Sequence, residues 1–372
     1  MKNSILKAVN FIKSEAVLSI AIVLAIITCF FVPIDKEYLN YFDFNTLISL
    51  FCMLVVIAGL KSTNIFELIS RKMIGLFHTR RSVIYALVFG TFFFDMIVAN
   101  DMSLITFLPL TYIVLHSTKN DKYLAFTFIM QTIAANMGGM ITPYGNPQNL
   151  YLYSYYHIDT TEFFSILLVQ SICVAVLLYI CCAFIHNEPL KLKNNNKITL
   201  DKKNLYFYII LFFIVILTIF RVIPYIVTLA IVILVIALID IKKFKEVDFS
   251  LLATFCVFFI FSGNIARIPA IREFISKIVV DNTLLAGIIS CQFISNVPTA
   301  IFLSKFTTNY RELLISVNIG SLGILISSLA SLITLKEFLK HQPKNFWKYL
   351  GMFTLFNTIF IFVLLLVTNY IS

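Results

Sequence analysis

The sequence predicts an all-α polytopic membrane protein with two inverted-topology repeats, about nine spanning helices and two re-entrant hairpins. Of its 372 residues, 60% are hydrophobic and only 13% are charged, which is more apolar surface than a soluble chain can bury. Its lysines and arginines lie mostly in short runs between apolar segments. One order of segments occurs twice, on either side of a polar linker. The first two observations indicate that the bilayer is the main solvent of the chain, and the third indicates two repeats.

Membrane-spanning segments are the first element to locate. A helix that crosses a bilayer needs about 20 mostly apolar residues. Nine segments are long enough, although polar and glycine residues interrupt two of them, 124–146 and 310–335. The others are 16–34, 44–60, 163–185, 205–223, 224–241, 248–266 and 348–371.

Two further apolar regions, 82–116 and 284–305, have a polar break in the middle. If the first crossed twice and the second once, the lysines between 336 and 348 would lie opposite the lysine-rich linker, against the positive-inside tendency. If each region enters and leaves on the same side, most basic runs lie inside and the loop 143–162, without lysine or arginine, lies outside. We therefore predict two re-entrant hairpins in a bacterial inner-membrane protein, with a cytoplasmic N-terminus and an external C-terminus.

The domain organisation follows from these assignments. The first repeat is 1–185 and contains the hairpin 82–116. A cytoplasmic polar linker, 186–204, joins it to the second repeat, 205–372, with the hairpin 284–305. Each hairpin is preceded by an amphipathic segment too charged to span, 64–77 and 268–280, which we expect to lie in the membrane interface. Inverted repeats of this kind are typical of secondary transporters.

The centres of the two hairpins carry helix-starting residues. Residues 99–103 are Ala-Asn-Asp-Met-Ser, and residues 295–299 are Ser-Asn-Val-Pro-Thr. Asn, Asp and Ser are N-cap residues, and proline suits the first turn of a helix. A half-helix that begins near the bilayer middle exposes N–H groups that attract anions, and the preceding half-helix exposes carbonyl groups that bind cations. Each hairpin tip therefore offers both kinds of binding group.

The span after each hairpin contains a second shared pattern. Residues 136–139 are Asn-Met-Gly-Gly and residues 318–321 are Asn-Ile-Gly-Ser, and the first copy continues with prolines that unwind a helix. Glycine permits close approach of the backbone. The candidate substrate- or ion-binding residues are Asn100, Asp101, Ser103, Asn136, Gly138, Thr142, Gly145, Asn146, Pro147, Asn149, Ser295, Asn296, Thr299, Asn318 and Gly320.

Two acids in the first hairpin are candidate coupling groups. A charge at the bilayer centre costs at least about 2.5–3.5 kcal/mol, so Asp101 is expected to bind a coupling cation or carry a proton, or else to cap the half-helix it begins. Asp95 either shares this site or forms a structural hydrogen bond. A sodium ion is expected near Asn100, Asp101 and Asn146. No cofactor is expected beyond the coupling ion, H⁺ or Na⁺, and Asp248 is expected to be solvated.

These residues resemble the ion transporter superfamily that includes arsenite permeases, citrate-transporter-like proteins and NhaD-type sodium/proton antiporters. The matching strings are ANDMSLITFLPL (99–110), GGMITPYGNPQNLY (138–151), QFISNVPTAIFLSKF (292–306) and VNIGSLG (317–323). The resemblance covers roughly 44–335 and is closest to a short bacterial branch. It implies hairpins that meet at a central site, a homodimer and elevator-like movement. Sodium-coupled carboxylate carriers have Ser-Asn-Thr at both tips, and the acid here resembles the arsenite-permease and antiporter branches instead.

The leading functional prediction is secondary active transport of a small anion or oxyacid, of the arsenite-like or carboxylate class, coupled to a proton or sodium gradient. Sodium/proton antiport is the main alternative, and a membrane enzyme or receptor is a third. The expected partners are the small substrate, the lipid bilayer and a second copy of the chain. Nucleic acid is excluded because the net charge of +10 comes from basic runs that set membrane topology.

Overall fold

The structure is a computed structural model that describes residues 15–190 and 198–371. Residues 1–14 of the predicted first repeat, residues 191–197 of the predicted linker and Ser372 lie outside the described residues. The regular elements of the described chain are helices, with one isolated β-bridge between Thr79 and Pro189. Eight helices are long and apolar enough to cross a membrane, or nine if the bent pair 269–294 is one span. The predicted all-α polytopic fold is therefore confirmed.

Eight α-helices lie before the linker in the part of the chain that the structure describes, from residue 15 onward. A polar side chain caps the start of several of them, as when Asp43 accepts a hydrogen bond from the N–H of Thr46 and Asp159 accepts from Thr161. The helices are α1 (Ala16–Cys29), α2 (Phe44–Ser62), α3 (Ile65–Ile74), α4 (Arg80–Val98), α5 (Asn100–Ser117), α6 (Leu124–Gly138), α7 (Pro147–Tyr155) and α8 (Thr160–Ala183).

Nine helices follow the linker, and the last seven repeat the order of α2 to α8. The pairs run from α2 with α11 to α8 with α17, so each half has a span, a short amphipathic helix, a hairpin, a broken span and a final span. The helices are α9 (Lys202–Ile219), α10 (Tyr225–Asp240), α11 (Phe249–Arg267), α12 (Pro269–Asp281), α13 (Thr283–Ile294), α14 (Asn296–Leu303), α15 (Tyr310–Ile319), α16 (Leu329–His341) and α17 (Phe346–Ile371).

The two hairpins break where the sequence predicted a break. The first has arms α4 and α5 and a break at Ala99, and the second has arms α13 and α14 and a break at Ser295. The arms of the second contain 12 and 8 residues, so they extend about 18 Å and about 12 Å and are too short to cross about 30 Å of hydrocarbon. The first hairpin has longer arms, and α4 alone is long and apolar enough to span. Re-entry of the first hairpin therefore stays a prediction.

The helices form two groups that the short amphipathic helices connect. In one group α2 packs against α9, α10 and α11, and α1 packs against α11. In the other, the first hairpin packs against α6 and the second against α15. Helix α3 leads from α2 into the first hairpin, and α12 leads from α11 into the second at an angle of 116° to α13. The short helices α3 and α12 thus connect the two groups along the chain, and the groups also pack directly, α11 against α14 and α2 against α7.

Ion pairs and side-chain hydrogen bonds join segments predicted to lie on the same side of the membrane. On the predicted outer side, Arg267 binds Asp35 at 2.6 Å and Arg311 binds Glu162 at 2.5 Å. Side-chain hydrogen bonds also join predicted inner segments, as between Asn64 and the carbonyl of Thr199. The Arg267 guanidinium holds the pKa of Asp35 below its ordinary value, because a hydrogen-bonded cation favours the charged carboxylate. Both arginines are therefore held by carboxylates at the protein surface.

The glycines of the shared Asn-x-Gly pattern allow each broken span to touch its hairpin. A Cβ atom added to Gly138 in α6 would overlap the carbonyl oxygen of Phe92 and lie 3.0 Å from its carbonyl carbon. A Cβ atom added to Gly320 would lie 2.8 Å from the Cβ of Cys291. In both halves, glycine thus brings the broken span against the first arm of the hairpin.

We predict that Gly138→Ala lowers the free energy of unfolding by about 1–3 kcal/mol, because the backbone at Phe92 cannot yield to an added methyl group. Gly351→Ala is the matched control, since a Cβ atom there meets nothing within 4 Å. Gly351→Ala is expected to leave the free energy of unfolding unchanged or to raise it slightly, because alanine favours the helical conformation of α17 more than glycine does. Thermal unfolding of the detergent-solubilised variants measures both effects, and equal stability of the two variants would contradict the predicted close approach.

Candidate functional site

The two hairpin tips have the same backbone conformation. Ala99 has φ 71° and ψ 151°, and Ser295 has φ 71° and ψ 162°. In each tip the next residue is an asparagine, Asn100 or Asn296, whose Oδ1 accepts a hydrogen bond from the following N–H group, at 3.0 Å and 2.9 Å. The tips are therefore equivalent. Since Asp101 follows Asn100 and Val297 follows Asn296, the predicted asymmetry between them is present in the structure.

The two broken spans contact each other at their breaks. Helix α6 continues as α7 after residues 139–146, and α15 continues as α16 after residues 320–328. Asn136, at the end of α6, donates a hydrogen bond to Ser328 Oγ at the start of α16 (3.0 Å). Asn318, at the end of α15, donates to Asn149 Oδ1 in α7 (2.7 Å). Each half thus supplies polar groups to the break of the other half, and these four side chains are buried.

Asp95 is buried where the first hairpin meets the first broken span. Its side chain is 0% exposed. One carboxylate oxygen accepts a hydrogen bond from the N–H of Gly139 (2.6 Å), and the other accepts from Ser103 Oγ (3.1 Å). Both donors favour the ionised carboxylate. Asp95 therefore links the hairpin arms α4 and α5 to the break after α6.

Three oxygens lie around Gly139, near the position that a Cβ atom of a larger residue would occupy. A Cβ atom added to Gly139 would lie 2.5 Å from Asp95 Oδ2, 2.9 Å from Asn146 Oδ1 and 3.0 Å from the carbonyl oxygen of Gly145. Asn146 is 1% exposed, and its Oδ1 has no hydrogen-bond partner among the described residues. Its amide nitrogen is fixed by the carbonyl of Asn136 at 3.1 Å. A cluster of a carboxylate, an amide oxygen and a carbonyl is suited to a small cation.

The sodium site predicted from Asn100, Asp101 and Asn146 differs from this cluster. Asn146 faces Asp95, and the Oδ1 atom of Asn100 is occupied by the N–H group of Asp101. One carboxylate oxygen of Asp101 is buried without a partner among the described residues. Of the two candidate coupling acids, the structure places Asp95 at the convergent oxygens.

A cavity of about 170 Å³ lies at the tip of the second hairpin. Ser295, Asn296 and the first turn of α14 form one wall, and Asp248 and Glu15 lie at another. The described residues that line it include no lysine or arginine. Asp248 is exposed, as predicted for a solvated acid. Glu15, Asp248 and the tip of the second hairpin therefore line the same cavity.

The remaining predicted site residues hold the breaks together. Thr142 donates to the carbonyl of Met96, and Thr299 donates to the carbonyl of Ser295. Gly145 lies against Gly139, and Pro147 occupies the first turn of α7. Asn149 also donates to the carbonyl of Met140, and the carbonyl of Gly320 accepts a hydrogen bond from Gln292.

Two glutamines in this region were absent from the predicted set. Gln292 donates to the carbonyls of Gly320 and Leu322 and accepts from the N–H of Ile324, so it ties the second hairpin to the second break. Gln148 donates to Asn318 Oδ1 at 3.4 Å. A signal existed for Gln292, because it is a polar residue in an otherwise apolar hairpin arm. The partners of Gln148 depend on tertiary structure alone.

Comparison with known proteins agrees with this arrangement. The model of the CitMHS family, described as citrate transporter, matches residues 6–311. An uncharacterized transporter of Methanocaldococcus jannaschii is 33% identical over 306 residues, which cover 81% of this chain and 82% of that protein. The inner membrane protein YbiR of Escherichia coli is 26% identical over 326 residues, 86% of each chain. The predicted resemblance is thereby confirmed, and the chain belongs to the CitMHS citrate transporter family of membrane transporters.

Proposed function

We propose that this transporter is a secondary active carrier that couples movement of a small anion or oxyacid to a sodium or proton gradient. Two observations carry the proposal: the oxygens of Asp95, Asn146 and Gly145 cluster around Gly139 at the first break, and a separate cavity lies at the tip of the second hairpin. One position suits a coupling cation, and the other is large enough for a small substrate. Coupling requires two such positions close to the moving hairpins.

The proposed coupling site is Asp95 with its two neighbouring oxygens. A buried carboxylate within the bilayer is costly unless a cation or a proton neutralises it. Asp95 already accepts two hydrogen bonds, which favour its ionised form, so a bound sodium ion or a proton would complete the site. Asp101, which has one buried carboxylate oxygen without a partner among the described residues, is the second candidate acid.

The proposed substrate site is the cavity at the second tip. At the start of α14, the side-chain amide and the backbone N–H of Asn296 offer hydrogen-bond donors to an anionic or oxyacid group, whereas the hydroxyl of Ser295 and the N–H of Val297 already donate to oxygens of the protein. The class of substrate is a carboxylate or an arsenite-like oxyacid. The description of the matching family as citrate transporter makes citrate the first carboxylate to test.

Alternating access is proposed to be elevator-like, with the hairpins and broken spans moving against the group of α1, α2, α9, α10 and α11. Support comes from the two groups of helices and from α3 and α12 as their connections. A cysteine introduced at Val297 is expected to react with impermeant reagents from either side, depending on the bound ion and substrate. Reaction from one side alone under all conditions would contradict this movement.

We further propose that the protein forms a homodimer in the inner membrane. Its N-terminus is proposed to be cytoplasmic and its C-terminus external. The ion pairs of Arg267 and Arg311 support the proposed orientation, because each joins two segments that are predicted to lie on the outer side of the membrane. Light scattering of the detergent-solubilised protein measures its mass, and a monomeric mass would contradict the dimer. Reporter fusions at each terminus test the orientation.

We predict that Asp95→Asn lowers ion-dependent substrate uptake at least roughly tenfold, because the amide keeps the shape but removes the charge that holds the cation. Uptake of citrate and of arsenite into proteoliposomes is measured under a sodium gradient at equal pH and under a pH gradient without sodium. Asp159→Asn is the matched control, because Asp159 caps α8 and asparagine caps equally well. Ion-dependent uptake that is unchanged in Asp95→Asn would contradict the proposed coupling site. Asp101→Asn tests the second acid in the same assay.

Sodium/proton antiport is the second candidate function. It is favoured by the carboxyl groups of Glu15 and Asp248 at the cavity, where the described lining includes no cationic side chain. If the chain is an antiporter, sodium added outside proteoliposomes enters in exchange for protons, and a pH dye trapped inside reports alkalinisation with no anion substrate present. Anion-coupled transport predicts no such flux above that of empty liposomes.

A further inference from the structure

A second cavity, of about 260 Å³, lies outside the proposed transport site. It lies between the end of α2, helix α3 and α5, which is the second arm of the first hairpin. Its polar edge is formed by Lys61, Asn64, Glu67 and Arg71. Its other wall is the apolar face of α5, which includes Ile113. The cavity thus combines charged and apolar walls, and it spans the two groups of helices.

The cationic side chains at this edge have hydrogen-bond donors that are available to a ligand. Arg71 binds Glu67 one turn earlier in α3 through Nη2 at 2.7 Å, while its Nε is buried with no hydrogen-bond partner among the described residues. Lys61 is exposed in the last turn of α2. A second group in the cavity is also incompletely bonded, since Pro109 in α5 lacks the N–H that would bond the carbonyl of Ile105. The cavity therefore offers donors for an anion and an acceptor for a hydroxyl or an ammonium group.

The apolar wall continues onto the exposed surface of α5. Ile105 is 41% exposed and Ile113 is 54% exposed, although both are large and apolar. In a membrane protein such side chains contact acyl chains. Helix α3 is amphipathic, with Glu67, Arg71 and Lys72 on a short helix too polar to span, which places it at the level of the lipid headgroups.

We propose that this cavity binds the phosphate headgroup of an anionic membrane phospholipid, with its acyl chains along α5. Lys61 and Arg71 bind the phosphate, and the carbonyl of Ile105 accepts a hydrogen bond from the remainder of the headgroup. A basic recess at the membrane surface with adjoining apolar surface is suited to a lipid headgroup. Because the lipid contacts α2 and α3 on one side and α5 on the other, its occupancy stabilises the hairpin against the first group of helices.

The test measures the thermal stability and lipid adducts of the purified full chain with phosphatidylglycerol or with phosphatidylcholine. Phosphatidylglycerol is expected to stabilise the wild-type protein more and to remain bound in native mass spectrometry. The double variant Lys61→Gln/Arg71→Gln is expected to bind it roughly tenfold more weakly. Lys72→Gln, on the same helix but outside the cavity lining, is the matched control and should bind as the wild type does.

The single variant Lys61→Gln leaves the Arg71–Glu67 pair intact and keeps the test valid if the double variant fails to fold. Equal binding of phosphatidylglycerol by the wild type and the Lys61→Gln variant would overturn the proposal. Equal stabilisation by inorganic phosphate or glycerol 1-phosphate would also overturn it, because the cavity would then bind free phosphate rather than lipid.

Discussion

The structure depends on how backbone polar groups are satisfied where helices break inside a membrane. Hydrocarbon offers no hydrogen bonds, and each unsatisfied group costs several kcal/mol, so breaks are tolerated only against protein, water or a ligand. This chain has two hairpin tips and two broken spans. Buried side chains satisfy the backbone at the first break, where Asp95 accepts from the N–H of Gly139 and Asn149 donates to the carbonyl of Met140. The central polar region follows from this constraint, and the glycines and amides of the repeated pattern make the contacts possible.

The two halves share a backbone but differ in chemistry. The tips at Ala99 and Ser295 have nearly identical torsion angles. Counting back four residues from each tip gives Asp95 in the first half and Cys291 in the second, and both are buried. Counting forward two gives Asp101 and Val297. One half therefore has acids where the other has apolar or weakly polar groups, which fits a division between ion coupling and substrate binding.

Local signals were sufficient to predict the breaks of this fold, but not the partners of the side chains around them. Both tips were predicted from N-cap residues, and the breaks are present, but the capping is not: the N-cap of α5 is Ala99 rather than Asp101, and Ser295 precedes α14 without a side-chain capping bond. The contact of Asp95 with Gly139 joins residues 44 positions apart, so a hydrogen bond between them had no local signal. Asp248 was predicted to be solvated, and its exposure agrees, but its place in the cavity at the second tip depends on the packing of α11 beside that hairpin. The predicted span 16–34 ends as a helix at Cys29, which shows the limit of hydropathy for helix ends.

The most direct test of coupled transport is accumulation of substrate against its own gradient. Proteoliposomes with equal citrate, or equal arsenite, inside and outside receive an inward sodium or proton gradient, and internal substrate is followed with a radioactive label. A secondary active carrier raises the internal concentration of one substrate above the external concentration until the ion gradient dissipates. Internal substrate that never exceeds the external concentration, under either gradient and for every anion or oxyacid tested, would contradict the account.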